Sequence, residues 1–178
     1  MTIRPRTHDD LNACVTALAE VQATDRYPVH WPDDPAAWLT PDDLIGAWVA
    51  TTPNPALKPT PTAPATTSAP TTATANDHAP TAPATVFGHV AVTRDLEITR
   101  LFVTPAARGR GLAEALLGTV RAAVPGPLKL EVSSEGEAAI RFYERSGWRR
   151  TGTTRATWLN AAGEPALLHH FVSPPPGR

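Results

Sequence analysis

Cysteine is almost absent from this sequence: Cys14 is the single example among 178 residues. One thiol cannot close an intrachain disulfide or supply the cysteines of a structural zinc site, and we expect no bound metal. Cys14 lies between Leu11 and Leu18 at helical spacing, so it should face the core. A buried thiol of this kind acts as a small hydrophobic side chain, and we assign it no chemistry.

Long apolar runs and an excess of one charge are also missing. No segment approaches the roughly 20 apolar residues of a membrane span, and the N-terminus lacks the apolar stretch of a signal peptide. The 16 Lys and Arg residues are balanced by 17 Asp and Glu residues, which gives a net charge of -1. Such a chain has no basic field that would hold nucleic acid or an anionic membrane. We expect a cytoplasmic protein that binds neither.

Proline is plentiful but unevenly placed. Eight of the 20 prolines lie between residues 53 and 83, where Thr and Ala fill most other positions. This composition cannot bury enough apolar surface to offset the entropy of ordering, so residues 51–85 are predicted to be disordered. Strand-like sequences flank the segment, which indicates a long hairpin loop inserted into one domain of residues 1–178. A lid over the active site, or a docking segment, is the alternative.

Outside this insertion the pattern alternates between strands and helices. An N-terminal strand is followed by a helix that Thr7 and Asp10 should cap, and a second capping box is predicted at Ser134 and Glu137. Further helices are expected after Gly111 and up to Gly147, where a left-handed cap is predicted. Strands are predicted at residues 45–50, 86–93, 96–103 and 128–132 and in a C-terminal hairpin.

Residues 23–41 are irregular and carry Tyr27, His30, Trp31 and Trp38 among four prolines. Prolines fix the backbone and large aromatic rings form walls, so this segment is predicted to line a pocket. The alternative is a loop that packs its tryptophans onto the core.

The segment "RLFVTPAARGRGLAEALL" (residues 100–117) places a strand, a tight turn and a helix in succession. Glycines let a backbone approach a ligand closely, and the free amides at a helix N-terminus attract an anion, so a polyphosphate ligand is expected. Neither the GxGxxG fingerprint nor the GxxxxGK[ST] pattern is present. The common dinucleotide and P-loop families are therefore set aside.

The same stretch resembles the acetyl-CoA loop of the GNAT (general N-acetyltransferase) superfamily, whose pattern [QR]xxGx[GA] is matched by Arg108, Gly111 and Ala113. About 25 residues downstream, "LEVSSEGEAAIRFYERSGW" resembles the family's fifth strand and its last helix. The resemblance extends from Thr2 to Val172 apart from the insertion. One departure is Gly136, which stands where the family often has an asparagine that contacts the cofactor.

The resemblance implies one α/β (α+β) domain, a mixed sheet of six to seven strands with helices on both faces. The fourth and fifth strands should splay apart in a V. It also implies transfer of an acetyl group from acetyl-CoA to a primary amine of a small molecule or peptide. The implied cofactor-binding residues are Phe102, Val103, Arg108, Gly109, Arg110, Gly111, Leu112 and Ala113.

For catalysis, the resemblance implies Tyr143 as general acid for the leaving thiolate, and Glu97 is a candidate base, directly or through water. Tyr143 as a packing residue and Glu97 as an exposed carboxylate are the alternatives. Tyr27, His30 and Trp31 are the expected acceptor-binding residues, whereas His89 is a weaker candidate for chemistry.

A different class of function is also compatible with the sequence. Binding of the pyrophosphate and catalysis use different residues, so a non-catalytic acyl-CoA sensor or partner-binding module is the alternative to an enzyme. Acetylation of aminoacyl-tRNA is disfavoured by the net charge of -1. We expect a monomer or a homodimer.

Overall fold

The computed structural model describes residues 1–52, 84–160 and 163–175. The strands are β1 (Thr2–Pro5), β2 (Leu44–Thr51), β3 (Val86–Thr93), β4 (Glu97–Val103), β5 (Lys129–Ser133), β6 (Arg149–Leu159) and β7 (Pro165–Val172). The helices are α1 (Leu11–Asp25), α2 (Pro35–Trp38), α3 (Leu112–Ala123) and α4 (Glu137–Arg145), with 3-10 turns at His8–Asp10 and Pro105–Ala107. Residues 53–83 of the predicted disordered insertion lie outside the described residues.

In the described part of the chain, seven strands form one sheet in the order β1-β2-β3-β4-β5-β7-β6. Every neighbouring pair is antiparallel except β4 and β5, which run parallel. Parallel neighbours need a crossover connection, and here α3 supplies it. The predicted mixed sheet is confirmed, and the strand predicted at residues 96–103 is central, as fourth of the seven.

Helices cover the two faces of the sheet with separate apolar clusters. On one face, α3 and α4 pack with Leu130, Trp148 and Phe171. On the other face, α1 packs against Val49 and Phe102. Because strand side chains alternate, Val49 lies on the α1 face while its neighbours Trp48 and Ala50 lie on the other.

Cys14 is fully buried on the α1 face, as predicted, and burial raises the pKa of its thiol to about 12. A thiol with so high a pKa carries no thiolate at neutral pH, which agrees with a packing role.

Two helix caps were predicted, and one forms. The Asp10 carboxylate accepts a hydrogen bond from the Thr7 amide at 2.8 Å and is held by Arg4 at 2.7 Å. The prediction of a capping box at Ser134 and Glu137 is wrong. The N-cap residue of α4 is Gly136, which has no side chain to accept a hydrogen bond. The turn is closed instead by Ser133, whose carbonyl accepts from the Gly136 amide at 2.8 Å. Gly147 has the predicted left-handed conformation, with φ of 78°.

The V-shaped separation of β4 and β5 is also present. The two strands pair only at Glu97 with Lys129 and at Ile98 with Leu130. Toward their carboxyl ends they part, which leaves the edge of β4 from Thr99 to Val103 facing a gap. On its other side β4 stays paired with β3, but a bulge interrupts the register.

The described ends of the insertion lie side by side. Thr51 is opposite Val86 in the β2–β3 ladder, and the Thr52 amide lies 3.4 Å from the Thr85 carbonyl oxygen. A short connection can therefore join the strands without moving them.

We expect that replacing residues 53–84 by an Asn-Gly turn leaves the fold intact. The entropy of closing a loop changes by only about 0.6 kcal/mol per doubling of its length, so the shorter chain should be equally or slightly more stable. Thermal unfolding and circular dichroism measure this, with deletion of residues 60–75 alone as the control. A variant that fails to fold contradicts the prediction, whereas a folded variant without catalytic activity would favour a lid.

Candidate active site

Two cavities, of about 410 Å³ and about 340 Å³, lie beside β4, the larger where β4 and β5 are still paired and the smaller at the end of β4. The smaller cavity, here called the loop cleft, is formed by the end of β4, the turn before α3 and the end of α4. The residues that line it are Val103, Ala107, Arg108, Gly109, Gly111, Leu112, Ala113, Glu114, Phe142 and Arg145. Six of the eight predicted cofactor-binding residues are among them.

The turn before α3 has the backbone that an anion site requires. Gly109 and Gly111 have φ of 72° and 70°, in the left-handed region that favours glycine. A Cβ atom added to either residue would have no neighbour within 4 Å, so this surface is open to a ligand. Gly111 is the N-cap of the 12-residue helix α3, whose first-turn amides have no partner within the helix. Together these features fit a pyrophosphate.

The other predicted loop residues are placed differently. The Arg108 guanidinium forms an ion pair with Asp25 at the end of α1 and lies 3.4 Å from the Val103 carbonyl oxygen. Its side chain therefore holds the loop against α1. Arg110 is exposed, and the Phe102 side chain is buried on the α1 face, so the main chain of Phe102 is what faces the gap.

Phe142 and Arg145 in α4 were not among the predicted site residues. They line the loop cleft opposite the glycines. Within the described part of the chain, the Arg145 side chain has no ion pair or hydrogen bond, so its charge is available to an anion. The sequence could have indicated that Phe142 and Arg145 lie together, because residues three apart on a helix share one face.

Tyr143 lies between the rings of Trp148 and Phe171, with centroid distances of 5.7 Å and 5.9 Å. Only 7% of the residue is exposed. Burial raises the pKa of Tyr143 above its ordinary value, and the nearby Tyr27 raises it further. The phenol therefore stays protonated throughout the physiological pH range.

Tyr27 packs against the cluster on the opposite face of the sheet. It precedes α2 and packs edge-on against Trp38 at 6.0 Å, and burial raises its pKa to about 12. Tyr27 contributes to the raised pKa of Tyr143, and no hydrogen bond or ring contact joins the two residues in the described structure.

The larger cavity, here called the sheet-face cavity, lies over β5, β7 and β6 on the face of the sheet that carries α1. Glu97, Lys129, Leu130, Glu131, Arg149, Thr151, His170, Phe171 and Val172 line it. Glu97 lies here, on the opposite face from Ile98, which packs in the α3 cluster. Burial raises the pKa of Glu97, and the neighbouring charge of Glu131 raises it further. Glu131 in turn pairs with the His170 Nδ1 atom at 3.0 Å.

The remaining candidates divide between surface and interior. Trp31 is 41% exposed, and His30 is exposed beside it. Neither residue is among those that line the two cavities in the described structure. His89 is fully buried between Arg6 and the Arg100 carbonyl group, and burial lowers its pKa to about 4.

Neither a metal site nor a membrane helix is found in the described ranges. No group of three or more His, Cys, Asp or Glu side chains in them is arranged to hold a metal ion. None of the helices described there combines the length and the apolar character needed to cross a bilayer.

Comparison with known sequences places part of the chain in a family. Residues 73–157 match the family model described as an acetyltransferase (GNAT) domain. An uncharacterized protein of Mycobacterium leprae (strain TN) is 35% identical over 92 residues, which cover 47% of this chain and 25% of that protein. The chain thus spans about a quarter of the length of this curated relative.

Comparison with solved structures bears on the fold. NAA60 of Arabidopsis thaliana, solved in complex with a bisubstrate analogue, superposes with a TM-score of 0.62 at 18% identity over 96% of this chain and 95% of that one. The same protein was also solved in complex with acetyl-CoA, with a TM-score of 0.60, 18% identity and 96% coverage of each chain.

The ribosomal-protein-S18-alanine N-acetyltransferase of Escherichia coli gives a TM-score of 0.63 at 18% identity, over 97% and 92% of the two chains. At this level of identity the likeness concerns the fold. As the motifs predicted, residues 73–157 match a GNAT acetyltransferase domain, and the described residues have the fold of these N-acetyltransferases.

Proposed function

We propose that this protein transfers an acetyl group from acetyl-CoA to a primary amine of a small molecule or peptide. The observation that carries the proposal is the loop cleft, which joins a glycine turn, a helix N-terminus and the gap between β4 and β5. The GNAT family match supports the same reaction. NAA60, which has this fold, was solved with acetyl-CoA.

The loop cleft fits the phosphates of acetyl-CoA. The amides of residues 108–113 would hold the pyrophosphate, because Gly109 and Gly111 leave the space in front of them open. Arg145 would add a charge-assisted hydrogen bond from α4. The pantetheine arm would lie along β4, where the main chain at Phe102 and Val103 faces the gap rather than a paired strand. Bound there, acetyl-CoA supplies an activated thioester.

The side chains at the gap can then assist the transfer. Tyr143 would donate a hydrogen bond to the departing sulfur. Its raised pKa makes complete proton transfer to a thiolate with a pKa near 8.5 uphill, so stabilisation of the thiolate by that hydrogen bond is its main contribution. Glu97 would accept the proton of the amine, directly or through water. The raised pKa of Glu97 makes it a better base near neutral pH.

The acceptor would approach from the α1 face, opposite the cofactor. Glu97 and Glu131 present carboxylates to the sheet-face cavity, and such groups attract an ammonium ion. Tyr27 packs on Trp38, whose carbonyl oxygen accepts from the Arg100 Nε atom of β4, so this pair offers aromatic surface beside β4. A cationic amine with an apolar portion fits these surroundings.

The first test is whether catalysis occurs at all. We expect the purified protein to release CoA thiol from acetyl-CoA in the presence of some amines from a panel of amino acids, polyamines, aminoglycosides and peptide N-termini. Thiol release is followed with a chromogenic disulfide, and reactions without amine are the control. Acetyl-CoA binding without thiol release from any amine would instead support the sensor or partner-binding module.

Gly111→Val should abolish acetyl-CoA binding. A side chain here would enter the open space assigned to the phosphates, and its left-handed backbone would cost about 1–2 kcal/mol in stability. Calorimetry measures the affinity and thermal unfolding the stability. Gly118→Ala is the matched control, because Gly118 lies within α3 and also faces open space, without a positive φ. Unchanged affinity in Gly111→Val would refute the loop assignment.

Tyr143→Phe should lower turnover by roughly 10- to 10,000-fold, the span usual for loss of a proton-donating group, while acetyl-CoA affinity changes little. The ring contacts with Trp148 and Phe171 are kept in this variant, so the hydroxyl alone is tested. Phe142→Leu, on the adjacent position of α4, is the comparison for cofactor affinity. Full turnover in Tyr143→Phe would mean that Tyr143 only packs.

A further inference from the structure

β4 contains a strained bulge at the gap. His89 lies opposite Phe102 and Ala91 opposite Thr99, so the single residue between them on β3 faces Arg100 and Leu101 on β4. Arg100 has φ of 53°, a left-handed conformation that is uncommon for residues other than glycine. Neither Arg100 nor Leu101 has a register partner on the described strands β3 and β5. Other groups must therefore hold this backbone, and strain kept in place this way points to a function.

His89 is the group that holds the bulge carbonyl. Its Nδ1 atom lies 2.9 Å from the Arg100 carbonyl oxygen, and its Nε2 atom lies 3.0 Å from the Arg6 guanidinium. The ring is fully buried and stacks on Phe102 at 5.4 Å. Arg6 is fixed in turn by the Leu39 carbonyl oxygen at 2.8 Å.

The tautomer of His89 follows from these partners. A guanidinium only donates hydrogen bonds, so Nε2 must accept, and Nδ1 must carry the proton that is donated to Arg100. The lowered pKa of His89 agrees with a neutral ring at physiological pH. Arg6 therefore fixes the direction of the hydrogen bond to the bulge.

This hydrogen bond also sets the direction of the next amide. In a planar trans peptide the carbonyl and the following N–H point in opposite directions. The Arg100 carbonyl points toward His89, whose ring lies in the α1-side cluster beside Phe102. The Leu101 N–H is consequently directed away from that cluster and from β3, toward the gap.

We propose that His89 is a positioning residue for acetyl transfer: backed by Arg6, it holds the Arg100 carbonyl so that the Leu101 N–H points at the thioester carbonyl. This inference rests on the proposed function, since it needs acetyl-CoA in the gap. An amide fixed in advance toward a carbonyl that gains negative charge stabilises the transition state without reorganisation.

Two isosteric variants separate the two hydrogen bonds of His89. In His89→Asn the side-chain amide takes the place of Nδ1 and keeps the donor to Arg100. In His89→Gln it takes the place of Nε2 and keeps only the acceptor for Arg6. The matched control is His169→Gln, because His169 is another buried strand histidine with an arginine partner, Arg150, at 2.7 Å.

The measurements need no amine to accept the acetyl group. Calorimetry gives the affinities for acetyl-CoA and for CoA, which differ by the acetyl group, and infrared spectra of carbonyl-labelled acetyl-CoA report the hydrogen bond to its carbonyl. In His89→Gln we expect the carbonyl band to shift back toward its position in solution. The preference for acetyl-CoA over CoA should fall by about tenfold, as for a lost hydrogen bond, with unchanged affinity for CoA. His89→Asn and the His169 control should stay close to the wild type.

Several outcomes would overturn the inference. A carbonyl band and a preference for acetyl-CoA over CoA that both stay as in the wild type in His89→Gln would do so. Equal losses of that preference in the Asn and Gln variants would also do so, because they would indicate that His89 only packs. If His89→Gln does not fold by thermal unfolding, His89→Phe replaces it, because a phenyl ring keeps the stacking on Phe102 and removes the donor to Arg100. An unchanged carbonyl band in His89→Phe then refutes the inference. A wild-type protein that does not bind acetyl-CoA refutes the proposed function itself.

Discussion

The separation of β4 from β5 is the constraint on which the rest of this structure depends. Parallel strands normally continue their ladder, yet here pairing stops after Ile98 and Leu130. The backbone groups of β4 beyond that point lose one set of partners, and burying them unpaired would be costly. An extended ligand with amide groups of its own can satisfy them. The cleft is therefore a consequence of how the sheet is built, and the loop and helices are arranged around it.

The gap also bears on how side chains on opposite faces of the sheet are related. Tyr143 belongs to the cluster beneath α3 and α4, whereas Tyr27 precedes α2 on the α1 face. A continuous sheet would keep them apart by its full thickness. That separation is interrupted where the strands part, and Tyr27 contributes to the raised pKa of Tyr143. In the proposed reaction, the cofactor would reach the reacting atoms from one face and the acceptor from the other.

Local features of this fold could be predicted from the sequence, because periodicity and turn residues act over a few positions. The strands before and after the insertion, the glycine turn before α3 and the burial of Cys14 were predicted in this way. Contacts between distant segments could not. Glu131 meets His170 only because β7 lies between β5 and β6, and Arg108 meets Asp25 across 83 residues of sequence. The cap at Ser134 failed because Ser133, one residue earlier, closes the turn.

The bulge in β4 shows how contacts between distant segments can override the local preference of the sequence. Nothing in the local sequence Thr99-Arg100-Leu101 favours a left-handed residue, since arginine has no side-chain group that relieves that backbone. The conformation is imposed from outside, by His89 on β3 and by Trp38, whose carbonyl oxygen accepts from the Arg100 Nε atom at 3.0 Å and whose ring lies 4.2 Å from the guanidinium. Trp38 belongs to the segment that borders the proposed acceptor face. The backbone at the gap is therefore tied to that segment, so under the proposed function a change in residues 26–40 should alter acceptor selection and amide geometry together.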